Sequence, residues 1–135
     1  GKIKGSHSKN LFLKNKKNKF FLISCEEFTN INLKRVSKFL CLGNVSFAGE
    51  EYLINLLGVK PGSVTPFALL NNIENNIDFY LDEKLYNSKF INFHPLTNTA
   101  TITMKCSTFI EFMIENNKKI HIFSPVEEVI VKTYG

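Results

Sequence analysis

The chain has 135 residues, of which 44% are hydrophobic and 13% aromatic, and this is enough apolar material for the core of a single domain. No stretch approaches the roughly 20 apolar residues of a membrane span, and no signal peptide opens the chain, which predicts a cytoplasmic protein without a membrane partner. The three cysteines are far apart and lack the spacing of a zinc site or a disulfide framework. We expect Cys25, Cys41 and Cys106 to be core thiols.

Positive charge is concentrated at the N-terminal end. Residues 1–19 hold seven lysines and no acidic side chain, although the net charge of the whole chain is only +5. Such a cluster indicates either a polyanion partner, most commonly nucleic acid, or a solvated basic tail, and charge alone favours neither. Every basic residue except Arg35 is a lysine, which favours contact with a phosphate backbone over the reading of bases.

Hydrophobic periodicity predicts a succession of short strands and helices. Alternating or continuous apolar runs indicate strands, and apolar residues three and four positions apart indicate helices. Asn32 is the expected N-cap of the first helix, and Gly58 is expected to end the second. In chain order we predict a hairpin within 10–24, a helix over 32–42, a strand at 45–47, a helix over 50–57, strands at 67–70, 77–81, 89–93 and 99–104, a helix over 107–116 and an edge strand at 119–123.

This order of elements favours one fold class. Hairpins alternate with helical crossovers, which predicts a single α+β domain over residues 1–124, with a mixed, largely antiparallel sheet covered by helices. The pattern is neither that of a doubly wound sheet nor that of a β-sandwich. The periodicity fades after Pro125, so we expect residues 125–135 to be a C-terminal tail or linker.

Most enzyme classes with a recognisable motif are not indicated. The sequence contains no GxSxG, P-loop, GxGxxG or HExxH motif. Cys25 has no neighbouring histidine, so a catalytic thiolate is not expected. Asp78 and Asp82 are interpreted as polar positions of an edge strand, and His94 before Pro95, taken alone, as a turn residue. Asparagine is abundant, which gives individual asparagines little weight.

The loop over residues 58–66 is a better candidate site. Two glycines and two prolines among nine residues exclude regular structure. Glycine lets backbone N–H groups approach a ligand and proline fixes the loop, so Gly62-Ser63-Val64-Thr65-Pro66 can preorganise an oxyanion site. A GxxxP pattern is weak by itself, and it also fits a rigid connection between a helix and a strand.

Four segments of the chain occur in a characteristic order. They are residues 7–14 (HSKNLFLK), 46–48 (SFA), 57–67 (LGVKPGSVTPF) and 94–101 (HPLTNTAT). Together they resemble the YbaK/prolyl-tRNA-synthetase-associated domain family, and within it the free-standing ProX-type editing proteins. The resemblance covers about residues 7–123 and implies a curved, YbaK-like sheet. Relatives carry a helix and a strand before the first segment, so we expect an N-terminal part of the domain to be missing here.

The resemblance implies an aminoacyl-tRNA deacylase that removes a wrong amino acid, typically alanine, from tRNA(Pro). It places catalysis at Lys9 together with Gly62 and Pro66 of the GxxxP loop. We expect a water nucleophile, no metal and no other cofactor, with mischarged tRNA as the partner and a prolyl-tRNA synthetase in cis or in trans. The expected residues of the amino-acid pocket are His94, Ser63, Val64, Thr65, Asn98 and Thr99.

Some alternatives remain open at this point. Lys14, Lys16, Lys17 and Lys19 either follow the acceptor stem of tRNA through its phosphates or solvate the tip of a hairpin. The alternative function is a non-catalytic tRNA-binding or assembly module appended to a prolyl-tRNA synthetase. Family members often have Leu-Ile-Asn-Asp after the GxxxP loop, but this chain has Asn72 in place of the acid.

Overall fold

A computed structural model describes residues 5–93 and 101–135, and eight strands in this part of the chain form one sheet. The strands are β1 (Ser6–Asn15), β2 (Phe20–Glu26), β3 (Val45–Phe47), β4 (Ile77–Asp82), β5 (Phe90–Phe93), β6 (Ile102–Lys105), β7 (Ile120–Ser124) and β8 (Val129–Tyr134). Their order across the sheet is β6-β5-β1-β2-β4-β7-β8, and β3 pairs with β1 beside this path.

Short helices connect the strands. They are α1 (Leu33–Phe39), α2 (Glu50–Tyr52), α3 (Glu83–Tyr86) and α4 (Cys106–Glu115), with a π-helical turn (Leu53–Leu57) directly after α2 and a 3-10 helix (Pro66–Asn71) after the GxxxP loop. Asn32 caps α1 as predicted, because its side chain accepts a hydrogen bond from the backbone N–H of Arg35. Gly58 ends the π-helical turn in the left-handed conformation, with φ of 66°. None of the described helices is long and apolar enough to cross a membrane.

Strand pairing gives the sheet its mixed character. Antiparallel pairs join β1 to β2 and to β3, β5 to β6, and β7 to β8. Parallel pairs join β1 to β5, β2 to β4, and β4 to β7. The pairs among the described strands are thus antiparallel in four cases and parallel in three, in one domain covered by helices. The predicted α+β class is confirmed.

Two apolar layers pack against the sheet. Side chains alternate along β2, so Phe20 and Leu22 contact the layer that includes α4, whereas Phe21 and Ile23 contact the layer that includes α1. We refer to these sides as the α4 face and the α1 face. Both faces of β2 are therefore covered, which explains why its apolar run is continuous rather than alternating.

Three predicted elements differ from the structure. Residues 67–70 are not a strand but part of the 3-10 helix, because Pro66 occupies the first helical turn, where its fixed φ is favourable. The predicted edge strand at 119–123 is β7, which lies between β4 and β8. Residues 125–135, predicted to be a tail or linker, contain a turn and then β8, which pairs with β7 along its length.

Two expectations about polar side chains are also corrected. Cys25 and Cys106 are buried, but Cys41 is exposed in the segment after α1. Asp82 does not lie on an edge strand: β4 has β2 on one side and β7 on the other. The Asp82 carboxylate is fully buried, whereas Asp78 on the same strand is exposed.

Candidate functional site

A gap in the sheet beside β1 forms the candidate site. On the side of β1 away from β2, β5 pairs with Ser6 and His7 and β3 pairs with residues 13–15. Between these two pairings no described strand covers residues 8–12, and the GxxxP loop lies there instead. The result is a cleft of about 380 Å³. It is lined by Ser8, Lys9, Asn10, Glu27, Gly62 and Val64.

Lys9 is fixed within this cleft. Its half-buried ammonium donates a hydrogen bond to the backbone carbonyl of Thr29, with Nζ 2.6 Å from the oxygen. A lysine ammonium has three N–H donors, so this contact orients the group and leaves donors for a ligand. The structure therefore brings Lys9 together with Gly62 and Val64 of the predicted loop in one cleft.

Asp82 supports the segment that holds Lys9. Its carboxylate accepts hydrogen bonds from the backbone N–H groups of Glu26 and Lys84, each at 3.0 Å, and from the Thr29 hydroxyl at 3.2 Å. These donors satisfy a carboxylate that is otherwise removed from water. Sequence reasoning missed this role, although an aspartate directly before a short helix is a typical N-cap signal.

Asn10 joins β1 to the GxxxP loop. Its side-chain N–H donates to the backbone carbonyl of Val64 at 3.1 Å, and its side-chain oxygen accepts a hydrogen bond from the hydroxyl of Ser24. Ser24 is fully buried in β2. The position of the loop is therefore coupled to the centre of the sheet through one asparagine.

The conformation of the GxxxP loop depends on its first and last residues. Gly62 has φ of +87°, which a residue with a Cβ adopts only under strain. Thr65 and Pro66 are buried and Ser63 is half-buried. The Thr65 hydroxyl is fully buried, and no residue in the described part of the chain forms a hydrogen bond with it. An unpartnered buried hydroxyl is costly, which makes Thr65 notable at a binding loop.

Glu27 is a further cleft residue that the sequence did not indicate. It follows β2, its side chain is exposed, and it lines the cleft together with Lys9. The cleft therefore presents one cationic and one anionic group to a ligand. The remaining predicted pocket residues, His94, Asn98 and Thr99, lie outside the described residues, so their roles stay predictions.

A cysteine nucleophile does not fit the site. Cys25 pairs with Lys9 across the β1–β2 ladder. Burial, with a smaller contribution from the charge of Asp82, raises the pKa of the Cys25 thiol to about 12, so the thiol stays protonated near neutral pH. Within residues 5–93 and 101–135, no cluster of three or more His, Cys, Asp or Glu side chains could hold a metal ion.

The four lysines predicted to bind tRNA lie towards the other end of β1. Lys16, Lys17 and Lys19 are exposed in and beside the β1–β2 turn. Lys14 differs from them, because it is half-buried and its Nζ lies 5.5 Å from the ring centroid of Tyr52. These four lysines thus do not line the cleft that contains Lys9.

Comparison with known proteins identifies the family. A family model of the aminoacyl-tRNA editing domain matches residues 3–112. The chain belongs to the aminoacyl-tRNA editing domain family. It is 39% identical over 114 residues to prolyl-tRNA synthetase associated domain-containing protein 1 of Xenopus laevis, a match that covers 81% of this chain and 67% of the relative. It is 30% identical over 97 residues to the prolyl-tRNA editing protein ProX of Acetoanaerobium sticklandii, covering 71% of this chain and 59% of that protein.

Solved structures agree with this family at the level of the fold. A crystal structure described as "a putative trans-editing enzyme for prolyl tRNA synthetase" superposes with a TM-score of 0.65 at 18% identity. The superposition covers 84% of this chain and 67% of that one. The editing-domain fold predicted from the four sequence segments is therefore confirmed.

Proposed function

We propose that this editing domain is a deacylase that hydrolyses the ester of mischarged tRNA(Pro), with alanyl-tRNA(Pro) as its substrate. The observation that carries the proposal is the ammonium of Lys9, held 2.6 Å from the Thr29 carbonyl beside the loop containing Gly62. The 30% identity to a protein named as a prolyl-tRNA editing protein supports the choice of tRNA. We expect the protein to act in the cytoplasm, alone or together with a prolyl-tRNA synthetase.

In the proposed mechanism, water attacks the carbonyl carbon of the ester. Lys9 holds the 3′-terminal phosphate or polarises the carbonyl, and N–H groups of the Gly62–Pro66 loop stabilise the tetrahedral oxyanion, where one such donor contributes about 3–4 kcal/mol. The bond from the carbonyl carbon to the ribose oxygen then breaks, and this oxygen takes up the proton that the attacking water has lost. The products are a free amino acid and tRNA with its terminal hydroxyl restored, and no step needs a metal or a covalent intermediate.

The polar groups of the cleft are suited to an aminoacyl ester. The exposed carboxylate of Glu27 is complementary to the α-ammonium of the esterified amino acid. Ser63, Val64, His94, Asn98 and Thr99 complete the proposed pocket. A small apolar pocket discriminates by only about 1–3 kcal/mol per methylene, so exclusion of proline has to be largely steric.

Steady-state release of labelled alanine from alanyl-tRNA(Pro) tests the proposal. Replacement of Lys9 by methionine (Lys9→Met) keeps most of the side-chain volume but removes the ammonium, and we expect kcat to fall by about 10²–10³-fold. Lys132→Met is the matched control, because this exposed lysine lies on β8, four strands from β1. The control is expected to retain wild-type kcat, and prolyl-tRNA(Pro) is expected to remain intact.

The results also distinguish the alternative function. Hydrolysis that persists unchanged in Lys9→Met would refute the catalytic assignment. A wild-type protein that binds tRNA(Pro) in a salt-sensitive manner but releases no alanine would instead be a non-catalytic binding or assembly module. Both functions would use Lys16, Lys17 and Lys19 at the β1–β2 turn to bind tRNA, since none of these lysines forms a salt bridge within the described residues.

A further inference from the structure

Two adjoining depressions meet at the segment that joins α1 to β3, and one is lined by α1 whereas the other is lined by the β1–β2 turn. Their volumes are about 780 and 340 Å³, and both are lined by Cys41, Gly43 and Asn44, so they form one continuous groove. We call it the lysine groove. The lysines that line it are Lys16, Lys17, Lys19, Lys34 and Lys38.

The charge of the lysine groove is not neutralised by the protein. Within the described residues, the sole salt bridge joins Arg35 to Glu128, and neither of these residues lines the groove. Asp78 is the one acidic residue in its walls, against five lysines. Unpaired like charges at close range repel one another, so a polyanion that binds here gains attraction to each ammonium without displacing a carboxylate.

The groove is held in shape by side-chain hydrogen bonds. The side-chain oxygen of Asn15 accepts from the backbone N–H groups of Lys17 and Lys19 at 2.9 and 3.0 Å, and its side-chain N–H donates to the Leu42 carbonyl at 2.9 Å. One asparagine therefore fixes the lysine-bearing turn to the segment after α1. Lys34 and Lys38, four residues apart, lie on the same side of α1.

The groove and the cleft that contains Lys9 lie along the same strand. Odd-numbered residues of β1, such as Leu11 and Leu13, pack on the α1 face, and by alternation Lys9 and Asn15 lie on that face too. Six residues separate them, which corresponds to about 20 Å at the rise of a β-strand. The groove and the cleft are therefore about 20 Å apart along β1, a distance that an extended substrate can span.

We propose that the lysine groove binds the phosphate backbone of the double-stranded RNA behind the esterified 3′ end of the substrate. This inference rests on the proposed function, because it takes tRNA as the substrate. It adds Lys34 and Lys38, which are remote in sequence from the basic N-terminal segment, to the contact surface. Lysines contact phosphates as point charges, so binding is expected to depend on salt and backbone shape rather than on base sequence.

Binding of uncharged tRNA(Pro) over a series of salt concentrations tests the inference. The double variant Lys34→Gln/Lys38→Gln is compared with Lys84→Gln/Lys132→Gln, which removes two exposed lysines that do not line the groove. Each lost phosphate contact lowers the log–log salt slope by roughly 0.9, so the groove variant should lose almost 2 from its slope and bind more weakly. The control variant should keep the wild-type slope. Thermal unfolding establishes that both variants are folded.

Cys41 provides a second measurement on the unmodified protein. It is exposed in the wall of the groove, whereas Cys25 and Cys106 are buried, so a thiol reagent should modify Cys41 first. Uncharged tRNA(Pro) and an RNA hairpin are expected to slow this modification, and a single-stranded RNA of equal length should slow it less. Equal reactivity with and without RNA would contradict the proposed position.

The inference fails if the groove variant keeps wild-type tRNA affinity and salt slope. Loss of binding to a prolyl-tRNA synthetase with unchanged RNA binding would also overturn it and assign the groove to a protein partner. Failure of the deacylase proposal is recognised separately, because it appears as absent or Lys9-independent alanine release whatever the groove binds.

Discussion

At the scale of single residues, Asn10 connects more parts of the site than its sequence context indicates. The abundance of asparagine favoured giving such residues little weight, yet this side chain contacts both Ser24 in β2 and the Val64 carbonyl in the GxxxP loop. Without the Asn10 amide, the Val64 carbonyl and the Ser24 hydroxyl lose this hydrogen-bond partner. The GxxxP loop then has one tie fewer to β1.

Asn10→Ala and Asn10→Asp are expected to lower kcat for alanine release by about tenfold or more, because the loop donors are no longer held beside Lys9. The aspartate variant keeps the acceptor for Ser24 but loses the donor to Val64. We expect the alanine variant to lower the free energy of unfolding by about 1–3 kcal/mol.

Steady-state kinetics and urea unfolding provide these measurements. Asn87→Ala, at an exposed position after α3, is the control and should match the wild type in both. A kcat for Asn10→Asp equal to that of the wild type would show that the contact with Val64 does not position the loop.

At the scale of elements, short apolar runs are where sequence and structure differ. Residues 67–70 satisfied the pattern of a strand, but a run of four apolar residues fits a strand and a buried helical turn alike. Pro66 and the contacts of the buried Phe67 with Phe93 and Phe109 decide between them. Element type was predicted well for β1, α1 and α4, where the periodic pattern extends over several residues.

The segment after Pro125 offers a test at the same scale. If β8 contributes to the fold, a protein ending at Ser124 exposes the backbone edge of β7 and loses the contact between Tyr86 and Tyr134. We expect the free energy of unfolding to fall by about 2–5 kcal/mol, since several ladder hydrogen bonds of about 0.5–1.5 kcal/mol each are removed.

Differential scanning calorimetry of the two proteins measures this loss. A melting temperature identical in both would restore the original interpretation of residues 125–135 as a tail or linker.

At the scale of the whole molecule, β1 organises the protein. It pairs with β2 along its length, with β5 at its start and with β3 at its end, and the uncovered stretch between β5 and β3 is the cleft. The lysine groove lies beside the other end of the same strand. One strand thereby sets the separation of the two proposed substrate contacts.

Domain stability is expected to depend on pH through His121. Its ring stacks on Tyr80, with centroids 5.1 Å apart, and Nδ1 lies 2.9 Å from the Thr133 hydroxyl. Burial lowers the pKa of His121 below 6.5, with a smaller lowering by Lys119 and an opposing effect of Asp78. Below pH 6.5 the unfolded chain therefore binds a proton more readily than the folded one, and the free energy of unfolding falls until the folded pKa is passed.

Urea unfolding between pH 5 and pH 8 measures this dependence. The difference in unfolding free energy between wild type and His121→Gln should be constant above pH 7 and should change in favour of the variant as the pH falls. A difference that does not vary with pH would contradict the stated effect of burial. The comparison of two proteins removes the contribution of the other histidines.

The sequence by itself determined the fold class and most element types, because periodicity is local and the four segments occur in a characteristic order. It also predicted one site with Lys9 and the GxxxP loop, and Lys9, Gly62 and Val64 line the same cleft. It did not determine that β7 is internal, that β8 exists, or that Asp82 is buried, since strand neighbours and burial depend on residues far apart in the chain. Only the folded structure likewise shows that Lys34 and Lys38 line one groove with Lys16, Lys17 and Lys19. Only the tertiary structure decides such positions, because the environment of a side chain is formed by elements that are distant from it in the sequence.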